Sequence, residues 1–367
     1  QRPKAPFRGG MVGSLLRSAP VKDARAKVAA GQMAQAELTK IEDEEIRKLV
    51  RKQEEVGLQA VTDGEYRRAF WHFDFLDCLT GVTTYETDAG IQFKGVATKG
   101  HGIRVTGKLD FPADHPHLAH FKFLASVTSR VPKMTIPSPS MLHYRGGRKA
   151  IDPSAYLRME DYYEDLGKAY AKAIKAFYDA GCRYLQLDDT SLSYFCDPEQ
   201  RKMLAERGDD PDKLIFVYRD VLNAALKAKP ADMQITTHTC RGNFKSTFIA
   251  SGGYEPVADM VFNQIDVDGY FMEWDDDRSG GFEPLRFLPK GDKQVVLGLV
   301  TSKFGEIESK DNLKRRIEQA AKFAPLEQLC LSPQCGFAST EEGNVLAEDE
   351  QWAKLSRILE VAKEVWG

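Results

Sequence analysis

Short apolar runs that each end in a cluster of polar residues recur along the whole chain, with helical patterns between most of them. Strand-like runs separated by amphipathic helices are typical of a parallel sheet whose strands are connected by helices. The runs, each with the polar residues at its carboxyl end, are MVGS (11–14), LQAVTDGE (58–65), KMTIPSPS (133–140), YLQLDD (184–189), QITTHTC (234–240), YFMEWD (270–275), VVLGLVTS (295–302) and LCLSPQC (329–335). Eight such repeats predict a closed (β/α)8 barrel, the TIM-barrel architecture.

An open, doubly wound sheet is the alternative fold for strands that alternate with helices. That architecture usually has a G-x-G-x-x-G turn after its first strand, and no such motif follows residues 11–14. A chain of 367 residues is long for a single barrel. Such barrels usually have about 250 residues, but barrels with insertions reach this length. We therefore predict a single catalytic barrel over residues 1–367, with an insertion at 66–130.

Residues 66–130 interrupt the repeating pattern between the second and third predicted strands. The segment begins with aromatic residues (AFWHFDF) and continues with Gly- and Thr-rich stretches such as IRVTGKLDF, in which apolar and polar residues alternate. Alternation with a period of two is typical of strands that have one exposed face. The prediction is a β-hairpin-like insertion that lies over the mouth of the barrel.

Composition and charge narrow the class of protein. The chain is 42% hydrophobic and 29% charged, its formal net charge is −3, and its Lys and Arg residues are scattered. This pattern disfavours nucleic acid and anionic membrane surfaces as partners. No run approaches the roughly 18 apolar residues of a membrane span, and 6 cysteines in so long a chain do not suggest a disulfide scaffold. We expect a cytoplasmic enzyme that acts on small molecules, with its oligomeric state open.

Three side chains of the types that bind zinc most strongly lie at the carboxyl ends of predicted strands: His238, Cys240 and Cys335. Barrels of this type build their active sites at that end of the strands. His238 and Cys240 are two residues apart, so on an extended strand both side chains point to the same face. Glu273, at the end of the sixth predicted strand, could complete a tetrahedral zinc site through an oxygen ligand.

Each of these residues also has an ordinary structural interpretation. A histidine at the end of a strand could be a buried polar residue, and Cys335, before Gly336, could pack a turn as a small apolar side chain. Glu273 could be a surface carboxylate, with Glu255 or Asp275 as the oxygen ligand instead. The joint placement of the candidates at the ends of three strands favours the zinc site.

Six motifs resemble, in the same order, those of the carboxy-terminal catalytic barrel of the cobalamin-independent methionine synthases. They span nearly the whole chain and are VGS near the start, DGE (63–65), LQLDD (185–189), HTC (238–240), MEWD (272–275) and SPQCG (332–336). The resemblance implies a Zn²⁺ cofactor that is held by His238, Cys240, Glu273 and Cys335. It also implies contacts to the ammonium and carboxylate of homocysteine from Ser14, Glu65 and Asp188.

The same resemblance implies a zinc-dependent S-methyltransferase that transfers a methyl group to the thiol of homocysteine and produces methionine. The methyl donor is either 5-methyltetrahydrofolate or another compound, because the sequence departs from the family pattern at three places. The acidic-Pro pair that usually follows the fourth strand reads Asp189-Thr190 here. We find no counterpart of the second, amino-terminal barrel that full-length members use to help bind folate. The histidine expected after the seventh strand is also missing, and Lys303 is nearby in its place as a candidate general acid.

Other functions stay open. A zinc-thiolate alkyltransferase of the epoxide:thiol transferase type would use the same metal ligands with a different thiol and electrophile. Such an enzyme would not need Glu65 and Asp188 to hold an ammonium group, and in that case both carboxylates could be helix caps or salt-bridge partners. A non-catalytic zinc or methionine-pathway protein would need no open mouth lined by carboxylates. A zinc hydrolase is disfavoured, because no histidine beyond His238 accompanies the thiols.

Overall fold

Strands and helices alternate along most of the chain in a computed structural model, which describes residues 2–87, 92–93, 96–97, 100–239, 255–274, 281–338 and 346–367. The strands are β1 (Ala60–Val61), β2 (Thr80–Thr87), β3 (Gln92–Phe93), β4 (Val96–Ala97), β5 (Gly100–Asp110), β6 (Val131–Pro137), β7 (Tyr184–Asp189), β8 (Gln234–Thr239), β9 (Gly269–Glu273), β10 (Gln294–Val300) and β11 (Leu329–Pro333). The α-helices are α1 (Ala19–Ala29), α2 (Gln35–Val56), α3 (Phe73–Leu76), α4 (Pro116–Ser126), α5 (Met159–Asp179), α6 (Ser191–Tyr194), α7 (Pro198–Glu206), α8 (Pro211–Leu226), α9 (Glu255–Gln264), α10 (Lys310–Ala321) and α11 (Glu348–Trp366).

Seven strands form one curled parallel sheet in the order β1-β6-β7-β8-β9-β10-β11. Each strand pairs in parallel with the next one in this order. Helices connect most successive strands of the sheet, as parallel pairing requires. Seven of the eight predicted strands are therefore present, and the α/β fold is consistent with a TIM-like barrel.

The prediction of a first strand at residues 11–14 is wrong, because this segment is not a strand of the sheet. The chain nevertheless passes between the two outer strands. On one side, the Gly10 N–H donates to the Leu331 carbonyl of β11 at 3.0 Å. On the other, the Leu15 N–H donates to the carbonyl of Gly64, beyond β1, at 3.1 Å. No regular ladder forms because the carbonyl groups between these contacts accept hydrogen bonds from side chains instead.

An antiparallel strand pair lies between β1 and β6 in the chain. β2 pairs with β5, from Val82 opposite Val105 to Thr87 opposite Gly100. The Asp152 N–H donates to the Val105 carbonyl at 2.8 Å and so attaches this pair to the connection after β6. The extent of the predicted insertion at 66–130 and its place over the barrel mouth stay predictions.

Glycines in the left-handed conformation follow two helices. α2 ends at Gly57, whose φ of 107° is in the left-handed region that favours glycine. Gly181, with a φ of 106°, follows α5 and leads into β7.

Side chains on the two faces of the sheet are buried in different surroundings. Leu185 and Leu187 of β7 belong to the large core between the sheet and the helices. The residues of β7 that alternate with these two leucines face the inside of the curled sheet, because successive side chains of a strand point to opposite faces. A small apolar cluster lies there, and its members are Val12, Phe271, Val296 and Cys330.

Two further observations concern the class of protein. Among the described residues, no helix combines the length and apolar character needed to span a membrane. In the same part of the chain, none of the five cysteines forms a disulfide bond, and they are Cys78, Cys182, Cys196, Cys330 and Cys335.

A buried histidine between α5 and α8 links stability to pH. The ring nitrogens of His143 lie 2.6 Å from the Tyr218 hydroxyl and 3.1 Å from the Tyr163 hydroxyl. Burial lowers the pKa of His143 from 6.5 to about 4. Between these pH values the unfolded chain binds a proton that the folded chain does not. This contribution to stability is therefore complete above pH 6.5 and is lost as the pH falls towards 4.

We expect His143→Gln to remove this part of the pH dependence. The histidine should destabilise the native protein by about 2 kcal/mol more at pH 5 than at pH 7, whereas glutamine does not titrate. Urea unfolding of both proteins at the two pH values measures the effect. The free energy of unfolding of the variant minus that of the unaltered protein should be about 2 kcal/mol larger at pH 5 than at pH 7. If this difference is the same at both pH values, the prediction is wrong.

Candidate active site

Three of the predicted zinc ligands come together at the carboxyl ends of the strands. His238 lies near the end of β8, Glu273 is the last residue of β9, and Cys335 follows β11. Their candidate ligand atoms all lie within 4.8 Å of one another. The Cys335 thiol donates a hydrogen bond to Oε1 of Glu273 at 2.6 Å. The fourth predicted ligand, Cys240, lies outside the described residues, and its part in the site stays a prediction.

The state of His238 suits a metal ligand. Burial lowers the pKa of this imidazole to about 4, so the ring is neutral at pH 7. Its Nε2 lies 3.1 Å from the carbonyl oxygen of Gln334, the residue before Cys335. Because a carbonyl oxygen only accepts hydrogen bonds, Nε2 carries the proton and Nδ1 keeps a free lone pair. Together with a thiol and a carboxylate, this donor set fits zinc.

The alternative oxygen ligands differ in their positions. Glu255 is partly exposed and accepts a hydrogen bond from Arg286 at 2.8 Å, so it belongs to a surface ion pair. Asp275 lies outside the described residues. Glu273 is 6% exposed and lies beside Cys335. Among the described carboxylates, Glu273 is therefore the one that the geometry offers to a metal.

A pocket next to these ligands contains the predicted amino-acid contacts. It is lined by Val12, Ser14, Glu65, Trp71, Asp188, Asp189, Thr190, His238, Cys335 and Gly336. The three residues predicted to hold homocysteine thus line the same pocket as two of the predicted zinc ligands. Trp71, Asp189 and Thr190 are lining residues that the predicted site did not include. Trp71 belongs to the aromatic stretch AFWHFDF, which was the sequence signal for it.

Ser14 is held against the loop that carries Cys335. Its hydroxyl oxygen accepts from the Ala338 N–H at 3.1 Å, and its carbonyl accepts from the Phe337 N–H at 3.0 Å. A Cβ atom on Gly336 would lie 2.0 Å from Oγ of Ser14. Only glycine allows this close approach. The amino-terminal segment and the metal-ligand loop therefore form one wall of the pocket.

Glu65 occupies an unusual turn after β1. Its φ is 60°, an uncommon backbone conformation for a residue other than glycine. The Asp63 carboxylate accepts from the Glu65 N–H at 2.9 Å, and Arg68 pairs with the Glu65 carboxylate at 3.3 Å. Burial raises the pKa of Glu65, and the positive charge of Arg68 opposes this shift. Such strained conformations cluster at functional sites.

Asp188 lies beside His238, its partner in the register of β7 and β8. Its Oδ1 is 3.8 Å from His238 Nδ1 and accepts from Nε2 of Gln186 at 2.8 Å. Burial, and then the charge of Glu65, raises the pKa of Asp188 to about 7. A cation bound in the pocket would favour the ionised form again. An ammonium group is such a cation.

Lys133 is a buried cation that the predicted site did not include. Its Nζ donates to the Met11 carbonyl at 2.8 Å and lies 4.3 Å from the centre of the Phe271 ring. Burial lowers the pKa of Lys133 to about 7, although Asp188 and Glu65 oppose the shift. The sequence has no signal for this placement, because a lysine at the start of a strand is usually exposed.

Lys303, the candidate general acid, is not in the pocket. Its side chain is exposed, and its backbone N–H donates to the Thr301 hydroxyl at 3.1 Å. A lysine acts as a general acid near neutral pH only if burial or neighbouring charge lowers its pKa. The structure does not provide that burial at Lys303, so it does not support this role.

The family of the chain follows from a direct match. Residues 7–364 match the family model described as "Cobalamin-independent synthase, Catalytic domain". The chain belongs to this family, as the six motifs predicted.

Three relatives illustrate the similarity. The chain is 54% identical to the uncharacterized protein YxjH of Bacillus subtilis (strain 168), over 99% of this chain and 96% of the relative. A solved Listeria monocytogenes structure, assigned to the vitamin-B12-independent methionine synthases, is 46% identical over 99% of both chains, with a TM-score of 0.81. A B12-independent methionine synthase from Shewanella sp. W3-18-1, solved with selenomethionine, has a TM-score of 0.71 at 18% identity, over 98% of this chain and 97% of that one.

We expect Cys335→Ser to remove most of the bound metal. The purified protein should contain about one zinc per chain. The variant should contain far less, because a tetrahedral zinc site loses much of its affinity when one thiolate ligand is removed. Cys240→Ser should behave in the same way. Cys196→Ser is the matched control, because Cys196 is partly buried in the connection after α6 and should not affect zinc. Metal analysis after dialysis decides, and full zinc retention in both ligand variants rejects the site.

Proposed function

We propose that this protein is a zinc-dependent methyltransferase that methylates the thiol of homocysteine and forms methionine. The observation that carries this proposal is the pocket that Ser14, Glu65 and Asp188 share with His238 and Cys335. It puts contacts for an amino acid next to candidate ligands for a metal that binds thiols. Membership of the family supports methyl transfer. The selenomethionine bound to the Shewanella relative supports a ligand of the methionine type.

His238, Glu273 and Cys335, together with Cys240, would hold the zinc ion. A zinc ion held by these residues would supply the positive charge that keeps a substrate thiol deprotonated at neutral pH. This matters because a free thiol, with a pKa near 8.5, is only about a few per cent thiolate at pH 7. Burial keeps the imidazole of His238 neutral, so the site needs no proton release from that ligand.

The other pocket residues would hold the amino-acid end of the substrate. Asp188 and Glu65 are buried carboxylates whose pKa values are raised, so a substrate ammonium would stabilise their charged forms. The Ser14 hydroxyl accepts one hydrogen bond, from Ala338, and its own proton is available to a substrate carboxylate. These contacts would orient the thiol towards the metal ligands, and such orientation is itself a large part of catalysis.

We also infer that the fold is one closed barrel of the (β/α)8 type over residues 1–367, with an insertion at 66–130 and with the amino-terminal segment, which is not a regular strand, in the eighth strand position. The contacts of the amino-terminal segment with β11 and with Gly64 support closure, because they fill the space between the two outer strands. The antiparallel pair of β2 and β5 supports a hairpin-like insertion.

Asp188→Asn tests whether the substrate is an amino acid. The variant should bind homocysteine more weakly by about 2–5 kcal/mol, because the ammonium would lose its charged partner. Titration calorimetry on the zinc-loaded proteins measures both affinities. 4-Mercaptobutanoate, which is homocysteine without its amino group, is the control ligand, and its affinity should stay within twofold. Unchanged homocysteine affinity would make Asp188 structural and favour an alkyltransferase that uses a different thiol.

The methyl donor depends on how its leaving group is protonated. A methyl group on N5 of folate is a poor electrophile until that nitrogen is protonated, because the leaving anion is otherwise too basic. General acid catalysis contributes about 10²–10⁴-fold to such steps. Among the described residues that line the pocket there is no lysine, and Lys303 is exposed. A donor that leaves without a proton would not need Lys303 as a general acid.

We expect turnover with 5-methyltetrahydrofolate to be slow or undetectable, and methyl transfer from a methylcorrinoid to be faster. Methionine formation from each donor, followed by mass spectrometry, measures this. Lys303→Gln should change the rates by less than twofold, since its side chain is exposed. A folate monoglutamate rate of roughly 1 s⁻¹ or above contradicts the expectation. Loss of that rate in Lys303→Gln would identify Lys303 as the acid.

A further inference from the structure

The segment that leads to Ser14 is held from inside the sheet. Three consecutive carbonyl groups accept hydrogen bonds from side chains, whereas in a regular strand neighbouring backbone N–H groups would supply them. The three bonds run from Lys133 Nζ to Met11 (2.8 Å), from Gln186 Nε2 to Val12 (2.9 Å) and from Thr62 Oγ1 to Gly13 (2.7 Å). Side chains therefore decide where the segment lies.

Gln186 is the central member of this group and the one that also contacts a substrate-binding candidate. It is fully buried on β7. Its Nε2 donates both to the Val12 carbonyl, at 2.9 Å, and to Oδ1 of Asp188, at 2.8 Å. Its Oε1 accepts from the Thr236 hydroxyl at 3.3 Å. The Val12 carbonyl oxygen has no proton to donate, so the amide has one satisfactory orientation, with Nε2 towards Val12. One amide thus connects Asp188 to the segment that carries Ser14.

We propose that Gln186 is a positioning residue that sets the separation between Asp188 and Ser14 and thereby fits the pocket to an α-amino acid. The proposal rests on the function proposed above. In an α-amino acid the ammonium and the carboxylate are attached to the same carbon, so their two protein partners must be a fixed distance apart. Anchors that are correctly placed before binding avoid the cost of rearrangement, and small displacements are expensive.

The surroundings of Asp188 and Ser14 explain why one amide should matter. Within the described part of the chain, Gln186 supplies the one side-chain hydrogen bond to the Asp188 carboxylate, whose His238 neighbour is 3.8 Å away. The segment before Ser14 has two further side-chain supports, from Lys133 and Thr62. Removing the Gln186 amide should therefore release Asp188 without releasing the whole segment.

Gln186→Met is the main test, because methionine has a similar length and packs in apolar interiors but donates no hydrogen bond. Calorimetry on zinc-loaded protein should show at least tenfold weaker binding of homocysteine. Zinc content and the affinity for 4-mercaptobutanoate should stay within threefold. Gln294→Met is the matched control. Gln294 is also a buried glutamine of a sheet strand, but it lies at the amino end of β10 and contacts Arg8, so both affinities should stay within twofold.

A double-mutant cycle with Asp188→Asn separates positioning from a general structural role. If Gln186 acts through Asp188, Gln186→Met should weaken homocysteine binding by less than twofold once Asp188 is already replaced. Full additivity overturns the proposal. An equal loss of affinity for homocysteine and for 4-mercaptobutanoate also overturns it, because only the first ligand has an ammonium group.

Two precautions keep the test decisive. If Gln186→Met does not fold, as judged by circular dichroism, Gln186→Leu takes its place, since its apolar side chain also has no hydrogen-bond donor for Asp188. If the unaltered protein binds homocysteine and the Gln186 variants bind it within twofold as tightly, the positioning role is rejected and the proposed function stands. If the unaltered zinc-loaded protein binds no homocysteine, the proposed function fails and the positioning role fails with it.

Discussion

The register between β7 and β8 places Asp188 opposite His238, and the rest of the site depends on this pairing. In the same register, Gln186 lies opposite Thr236 two residues earlier. Both pairs point into the curl of the sheet, because side chains on a strand alternate between its faces. A slip of either strand by one residue would turn its two side chains to the opposite face. The pairing therefore aligns a metal-ligand candidate, an ammonium-binding candidate and its support in one step.

Buried charge is the second constraint on this molecule. Asp188 and Glu65 are carboxylates with raised pKa values, and Lys133 is a lysine with a lowered pKa, all on the inner side of the sheet. Burying such groups costs stability unless each has a partner. Arg68 provides one for Glu65. Groups perturbed in this way are typical of functional sites, because a bound ligand can repay the cost when it supplies the missing charge.

The amino-terminal segment shows how a sheet position can be filled without a strand. Its carbonyl groups are bound by side chains from inside the sheet, and its backbone approaches neighbouring elements closely. A Cβ atom on Gly13 would lie 2.8 Å from Cγ2 of Thr135 and 3.3 Å from Oε2 of Glu65. The same segment contacts the loop of Cys335 through Ser14. Short contacts on both sides thus connect the metal-ligand loop with the turn that carries Glu65.

The sequence by itself predicted the order of strands and helices and most of the candidate site. This was possible because polar residues after apolar runs mark the carboxyl ends of parallel strands, and His238, Glu273 and Cys335 all lie at such ends. It failed at residues 11–14, where an apolar run resembles a strand but its carbonyl groups are bound by side chains. It also missed Lys133 and Gln186.

Only the tertiary structure decided which polar residues face one another. Periodicity shows to which side of a strand a residue points, but it contains no information about register or about the residue on the opposite side of a curled sheet. Lysine and glutamine are usually exposed, so their burial becomes visible only when the partner carbonyl groups of Met11 and Val12 are in place. Contacts between residues more than a hundred positions apart in the chain depend on packing, and a local pattern cannot specify them.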